Sequence, residues 1–283
     1  MKLKLALASL TALGLTTFGL TSVTAQTTTN TINTANFELR LNLRSGKDAL
    51  EFGKIYKTPG GQQYQVDLLK FYLSNINLVK SDGSLLSLPG ISLTEFKAKT
   101  GTQGSSENTS AGQMMTDGQI YASSSTQNAV VFKAQVPAGE YRGIRFDVGV
   151  PKDLNNQDAS LQQLPLGVES GMFWSWNPGY IFYRFEGKTK VAGKLQPFIL
   201  HMGTDPYRMP VNAFDLQSNK VKIPVTDSSG KVSLNLDVTR AFEKDPSGAA
   251  GWDLSKIEKR VMHGGVNLGQ AYLNLLPAWS LAQ

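Results

Sequence analysis

The sequence predicts an all-β protein, an antiparallel β-sandwich with long loops and a short helical C-terminal segment. Three observations carry that expectation. Residues 37–44, Phe-Glu-Leu-Arg-Leu-Asn-Leu-Arg, alternate apolar and polar without a break, the period of a strand buried on one face. Apolar runs of strand length recur along the chain, separated by turn chemistry such as Asp82-Gly83, Pro137-Ala138-Gly139 and Asp227-Ser228-Ser229-Gly230. A helix signal stands near the end, at Asp253, whose carboxylate can cap a helix running toward Met262.

Taken in order, residues 1–25 read as a signal peptide. Lys2 and Lys4 form a positive start, residues 5–20 an apolar stretch, and Val23-Thr24-Ala25 a small-residue cleavage site. The apolar stretch is too short and too rich in Thr and Gly to span a membrane, and no other stretch approaches spanning length. The mature protein is therefore expected to be periplasmic or secreted. Residues 26–35, rich in Thr and Asn, read as a flexible leader, and residues 36–283 as a single sandwich domain.

Within that domain, residues 64–80 form a long extended segment with a bulge near Ser74-Asn75. Asp82-Gly83 reverses it into a strand at 85–88, and another follows at 92–97. Ser, Thr, Gly, Gln and Asn dominate residues 98–128, which read as a long surface loop. Residues 129–136 and 141–150 are expected to pair as a hairpin about Pro137-Ala138-Gly139, followed by a polar connection with one short helical turn. An aromatic hairpin at 171–187 leads to a strand ending at His201. Residues 205–214 read as a loop, 220–225 and 231–238 as a last strand pair, and 266–275 as a second short helix that Pro277 limits.

Composition narrows the chemistry. There is no cysteine, which excludes disulfides, thiolate metal sites, cysteine nucleophiles and lipid attachment through a terminal cysteine. The 28 basic residues, less Lys2 and Lys4, against 22 acidic ones leave +4, and the bases are scattered. A nucleic-acid binder needs a basic stripe or patch, so none is expected as a partner. With 41% hydrophobic residues the chain has enough apolar surface for a sizeable core.

The unusual residues are concentrated. Residues 171–203 hold Trp174 and Trp176, two of four tryptophans, and His201, one of two histidines. Each histidine stands beside a methionine, as His201-Met202 and Met262-His263. Imidazole suits copper and zinc, and thioether is a soft donor that favours reduced copper. Structural histidines and an aromatic core hairpin explain the same residues, and are the commoner roles. The aromatics Trp174, Trp176 and Tyr180 would also serve a non-catalytic carbohydrate-binding or adhesion sandwich as a stacking platform. A zinc site with two histidines and a carboxylate such as Asp205 remains open, although no His-Glu-x-x-His stands in the chain. No Gly-x-Ser-x-Gly elbow accompanies either histidine, and paired carboxylates leave no signature of their own. No catalytic residue is assigned.

Several pieces together resemble a known family. They are the 37–43 strand, Val66 to Leu78 followed by Asp82-Gly83, Pro137-Ala138-Gly139-Glu140-Tyr141, Gly171-Met172-Phe173-Trp174-Ser175-Trp176-Asn177-Pro178-Gly179-Tyr180, Phe185-Glu186-Gly187 and Leu200-His201-Met202-Gly203. In this order they resemble the methanobactin-associated MbnP-like periplasmic copper-binding proteins, related to the MopE and CorA copper proteins. The resemblance implies a β-rich exported protein that holds one copper ion through histidines, beside a tryptophan oxidised to kynurenine. It implies copper acquisition or homeostasis rather than catalysis, and a di-haem MbnH-type protein as the oxidising partner. His201 falls on the motif's histidine, and Trp174 and Trp176 on its paired tryptophans, either of which would be the one modified. His263 lies outside the motif and joins the expected site as the other imidazole, with Met202 and Met262 beside the two histidines.

Overall fold

The computed structural model describes residues 33–97, 113–115, 119–123, 126–176, 179–215, 221–223, 230–243, 253–256, 260–263 and 274–282. The expected signal peptide and residues 26–32 lie outside these. The first strands are β1 (Thr34–Ser45), β2 (Asp48–Ala49), β3 (Tyr56–Lys57), β4 (Gln63–Lys80), β5 (Leu85–Ser87) and β6 (Ser92–Lys97). Next come β7 (Gln113–Met115), β8 (Gln119–Ser123), β9 (Ala129–Pro137) and β10 (Gly139–Val148), then the one-turn helix α1 (Lys152–Asn155). The remainder is β11 (Ile181–Val191), β12 (Lys194–Gly203), β13 (Met209–Asp215), β14 (Val221–Ile223), β15 (Gly230–Asp237), β16 (Val261–His263) and β17 (Trp279–Leu281).

Two sheets result. The smaller runs β17-β15-β1-β2, with β9 also on β1. The larger runs β16-β12-β11-β4-β6-β8-β7, and β10 joins it through β4. Most pairings are antiparallel, as the sandwich expectation requires, but β1–β15, β6–β8 and β12–β16 are parallel. Strand β4 is the spine of the larger sheet. Its first half pairs with β11 and its second half with β10, and Asn75, at a left-handed φ of 49°, sits at the register shift within the β10-paired half.

The period-2 pattern builds the core directly. Phe37, Leu39, Leu41 and Leu43 of β1 are fully buried, and they share one cluster with Val232, Leu234 and Leu236 of β15 and Phe71, Phe185, Phe198 and Leu200 of the larger sheet. A second cluster contains Tyr72, Leu93, Val150, Met172, Trp174, Tyr180 and Phe182. It forms where the 151–180 connection lies against the larger sheet, on strand positions that alternate with core ones.

Several local expectations give way to the fold. Strands β9 and β10 are not a hairpin: β9 pairs with β1 in one sheet and β10 with β4, β13 and β14 in the other. The Pro137-Ala138-Gly139 link turns a corner between layers, with Ala138 N–H donating to Asn33 O at 2.8 Å. Strands β14 and β15 separate in the same way, one to each sheet. The expected 98–128 loop contains β7 and β8, and its other parts up to residue 125 lie outside the described residues. The expected 205–214 loop is a 3-10 turn, Asp205–Tyr207, followed by β13 paired with β10. Strand β1 begins at Thr34, inside the expected leader, and Ala35 is already buried.

The C-terminal region also differs from its expectation. Asp253 does cap: its carboxylate accepts the Ser255 N–H at 3.0 Å. Arg260 N–H donates to Lys256 O at 3.1 Å, but the chain becomes strand at Val261, so Met262 and His263 lie in β16 instead of at a helix end. Pairing with β12 wins over local helix signals here. Most of the expected 266–275 helix lies outside the described residues; beyond it come a 3-10 turn, Leu276–Ala278, and β17. Among the described residues no helix is long and apolar enough to cross a membrane.

Candidate metal centre

A tight hairpin sets the position of His201. Ala192 and Gly193 take left-handed φ values of 46° and 79°, so β11 and β12 join through two residues. That register puts Arg184 opposite His201 and Glu186 opposite Ile199. Along β12, Phe198, Leu200 and Met202 belong to the core cluster. His201 and Gly203 alternate with them and so occupy the other face, together with Arg184 and Glu186 of β11.

On the far side of β12 runs β16, parallel to it and at the sheet edge. Ile199 pairs with Val261, Leu200 with Met262 and His201 with His263. The two histidines of the chain, about sixty residues apart in sequence, are therefore register partners on neighbouring strands. The pairing is of backbones, so His201 and His263 stand at the same level on adjacent strands. Met262 pairs with Leu200 on the alternate row. Met202, only 1% exposed in the core cluster, lies on the opposite face from His201, so the expected place for it beside the metal is not where the fold puts it.

His201 is buried and its Nε2 lies 2.7 Å from Glu186 Oε1. The same carboxylate oxygen accepts from Arg184 Nε at 2.5 Å, and Arg184 Nη1 donates to Gly171 O at 3.3 Å. Burial pushes the Glu186 carboxyl up, but hydrogen bonds from His201 and Arg184 and the charge of Arg184 outweigh it and hold it at about 2. Glu186 did not stand among the expected site residues. Its signal lay in the hairpin: a two-residue turn at Ala192-Gly193 fixes Arg184 opposite His201, and Glu186 diagonal to it.

The tryptophan wall is anchored by Asn155. Its Nδ2 donates to Asp205 Oδ1 at 2.8 Å, and its Oδ1 accepts the Tyr180 N–H at 2.9 Å. Phe173 and Tyr180 form an isolated antiparallel bridge, which holds the Trp174 stretch against the sheet. Trp174 is buried over Gly203: a Cβ at Gly203 would lie 2.5 Å from Trp174 Cη2. Since Gly203 shares a face and a strand with His201, Trp174 covers the row on which His201 stands. The Trp174 Nε1–H is buried without a hydrogen-bond partner. Trp176 is 67% exposed, and its ring centroid lies 5.6 Å from that of Trp174. A cavity of about 320 Å³, lined by Asp158, Ser160, Phe173, Trp174 and Tyr180 among others, opens beside the pair.

Among the described residues, no group of three or more His, Asp or Glu side chains is arranged to hold a metal. Asp205, the carboxylate of the zinc alternative, is engaged by Asn155. What the fold brings together is a histidine pair in register on neighbouring strands, a carboxylate on one histidine, and an indole over Gly203 of the same strand.

The family model for MbnP matches residues 34–263. The chain belongs to the MbnP family. The match starts on the first residue of β1 and ends on His263, so it includes both histidines and both tryptophans of the centre. The structure of MbnP from Methylosinus trichosporium is similar in fold, with a TM-score of 0.52 and 17% identity, covering 82% of each chain. No curated protein matches the chain.

Proposed function

We propose that this MbnP-family chain is an exported copper-binding protein that holds one copper ion through His201 and His263, beside Trp174. The observation that carries the reading is the parallel register of β12 and β16, which pairs the two histidines across neighbouring strands. Neighbouring strands lie about 4.8 Å apart. Two imidazole nitrogens on one first-row ion, each about 2.0–2.1 Å away, lie up to about 4 Å apart, so the spacing suits a shared ion. Imidazole donors with few further ligands suit copper, and a dry aromatic wall favours its reduced form. The buried, unpartnered Trp174 Nε1–H supports the same reading, since it marks an indole whose polar atom the fold alone leaves unsatisfied.

Copper, when bound, supplies a soft cation for transfer or storage. The chain's own residues hold it, shield it from water and expose its rim through Trp176. The role is acquisition or homeostasis of copper in the periplasm or outside the cell, without catalysis. Trp174 or Trp176 is the site of conversion to kynurenine, with a di-haem MbnH-type protein as the oxidising partner. The exposed Trp176 is the one a partner reaches first.

Copper per chain, measured on protein purified from the export compartment, tests this. One copper in the wild type, lost in both His201→Ala and His263→Ala, is expected. Metal-free protein that binds glycans through the Trp174–Trp176 platform would replace this reading with a carbohydrate-binding one. Intact mass, with Trp174→Phe and Trp176→Phe compared in cells carrying a di-haem partner, shows which ring has lost a carbon and gained an oxygen. Export itself is read from the mature N-terminus, expected at Gln26.

A further inference from the structure

The cavity beside the tryptophan pair plays no part in the proposed copper binding. Its volume, about 320 Å³, falls at the lower end of the range of small-molecule sites. It is lined by residues 156–160, 168, 173–175, 179 and 180, all from the connection between β10 and β11. Three of these are aromatic, Phe173, Trp174 and Tyr180, and one is charged, Asp158. No Lys, Arg or His lines it. The whole 151–180 connection carries three acids, Asp153, Asp158 and Glu169, against one base, Lys152, in a chain that has 28 basic residues and 22 acidic ones. This stretch is therefore negative on a positive protein.

The charge is held in place. Asp158 Oδ1 accepts the Ser160 N–H at 2.8 Å and the Ser160 hydroxyl at 2.7 Å, while Oδ2 has no hydrogen-bond partner among the described residues. Those two bonds hold the carboxyl below its ordinary range, so it is an anion at neutral pH. Burial pushes the Tyr180 hydroxyl up to about 12, and the Asp158 charge adds to it, which puts the carboxylate within electrostatic reach of that side chain. Aromatic rings present a negative face, so the wall and the carboxylate favour the same kind of guest, a cation with an apolar skin. An anion meets no base here, a bare metal ion finds one carboxylate and too few further donors, and a neutral guest gains nothing from the charge. Trp176, 67% exposed with its ring centroid 5.6 Å from that of Trp174, adds a free aromatic face beside the opening.

We propose that this cavity is a site for a small alkylated ammonium ion, with Asp158 as its counter-ion and Phe173 and Trp174, backed by Tyr180, as its aromatic wall. The site goes beyond the copper reading and does not rest on it. A cation over a ring face within about 6 Å of the centroid is attracted by the ring, and methyl groups around the charge add contact with the wall. Asp158 also has a structural use, as the cap of the 3-10 turn Ala159–Leu161. Asparagine caps as well as aspartate, so the charge can be removed while the cap is kept.

The test titrates metal-free protein at low salt with choline, and separately with the alcohol in which a tert-butyl group replaces the trimethylammonium, a guest of the same shape without the charge. Choline should bind about 2–30-fold more tightly than the neutral guest. Its methyl proton resonances should move upfield on binding, as they do over an aromatic face. Asp158→Asn should abolish the preference for choline while leaving the affinity for the neutral guest and the unfolding midpoint unchanged. Trp176→Ala, at an exposed position, should reduce the upfield shift. Equal affinity for the two guests, an unchanged preference in Asp158→Asn, or no choline binding at all overturns the inference. Cellobiose bound more tightly than choline would give the cavity to glycans and overturn it as well. No readout involves copper, so the outcome leaves the copper reading to its own test.

Discussion

Gly203 has no side chain because Trp174 occupies the space. A Cβ there would lie 2.5 Å from Trp174 Cη2 and would also run into the Tyr180 carbonyl oxygen. Gly203→Ala should therefore push the indole off its seat and destabilise the fold by roughly 1–3 kcal/mol. A lowered urea midpoint is the expected outcome; an unchanged midpoint would mean that Trp174 is not seated over Gly203. Glu186 makes a different kind of prediction. Its folded-state value, about 2, is below its ordinary 4.5, so it stabilises the fold above about pH 4.5, and that stabilisation is lost as the pH falls through about 2. Metal-free wild type should lose ~1–3 kcal/mol over that window relative to Glu186→Gln, read from unfolding curves at several pH values. At this scale the sequence was informative about rare residue types: His201, Trp174 and Trp176 stand out by scarcity alone. Glu186 does not, since one of 22 acidic residues becomes special only through its diagonal contact across a hairpin.

Among the elements, the β11–β12 hairpin and the strand beside it depend on Gly187. A Cβ at that position would collide with the Gln65 carbonyl oxygen of β4 and lie 2.7 Å from Phe198 Cζ of β12. The site also coincides with a register shift between β11 and β4. Gly187→Ala should force the two strands apart and lower stability by about 1–3 kcal/mol or more, with slower amide exchange protection lost first in 181–191. Wild-type protection there in the variant would contradict it. Strands themselves were legible where one face is buried, because alternation is local: residues 37–44 announce β1 in full. Their partners were not. Pro137-Ala138-Gly139 is as good a hairpin turn as Asp82-Gly83, yet the first sends its strands to different sheets and the second joins β4 to β5. A turn fixes the reversal of the chain; the choice of sheet is made by core contacts far away in sequence. The same reason hides the β12–β16 pairing, since no local pattern in Val261-Met262-His263 specifies Ile199-Leu200-His201 as its neighbour.

For the molecule as a whole, β17 ties the smaller sheet to the larger one. Trp279 of β17 packs edge-on against Phe71 at 5.8 Å and Phe146 at 5.3 Å between ring centroids, and β17 pairs with β15. Trp279→Ala should cost about 3–5 kcal/mol, as for other buried aromatics, and show as a large drop in thermal midpoint. A small drop would mean that the two sheets meet without it. The parallel strand β16 has a consequence of another kind. Between His201 and His263 the chain makes a loop of about sixty residues, and in an unfolded chain a shared ion would have to close that loop itself. The entropy of such a closure is about 4 kcal/mol by the chain-entropy model for cross-links, or roughly a thousand-fold in affinity. The folded protein has the loop closed already. An ion shared by the two imidazoles, as proposed, would therefore distinguish a finished chain from an unfinished one, so that possession of the ion would itself be a certificate of correct assembly.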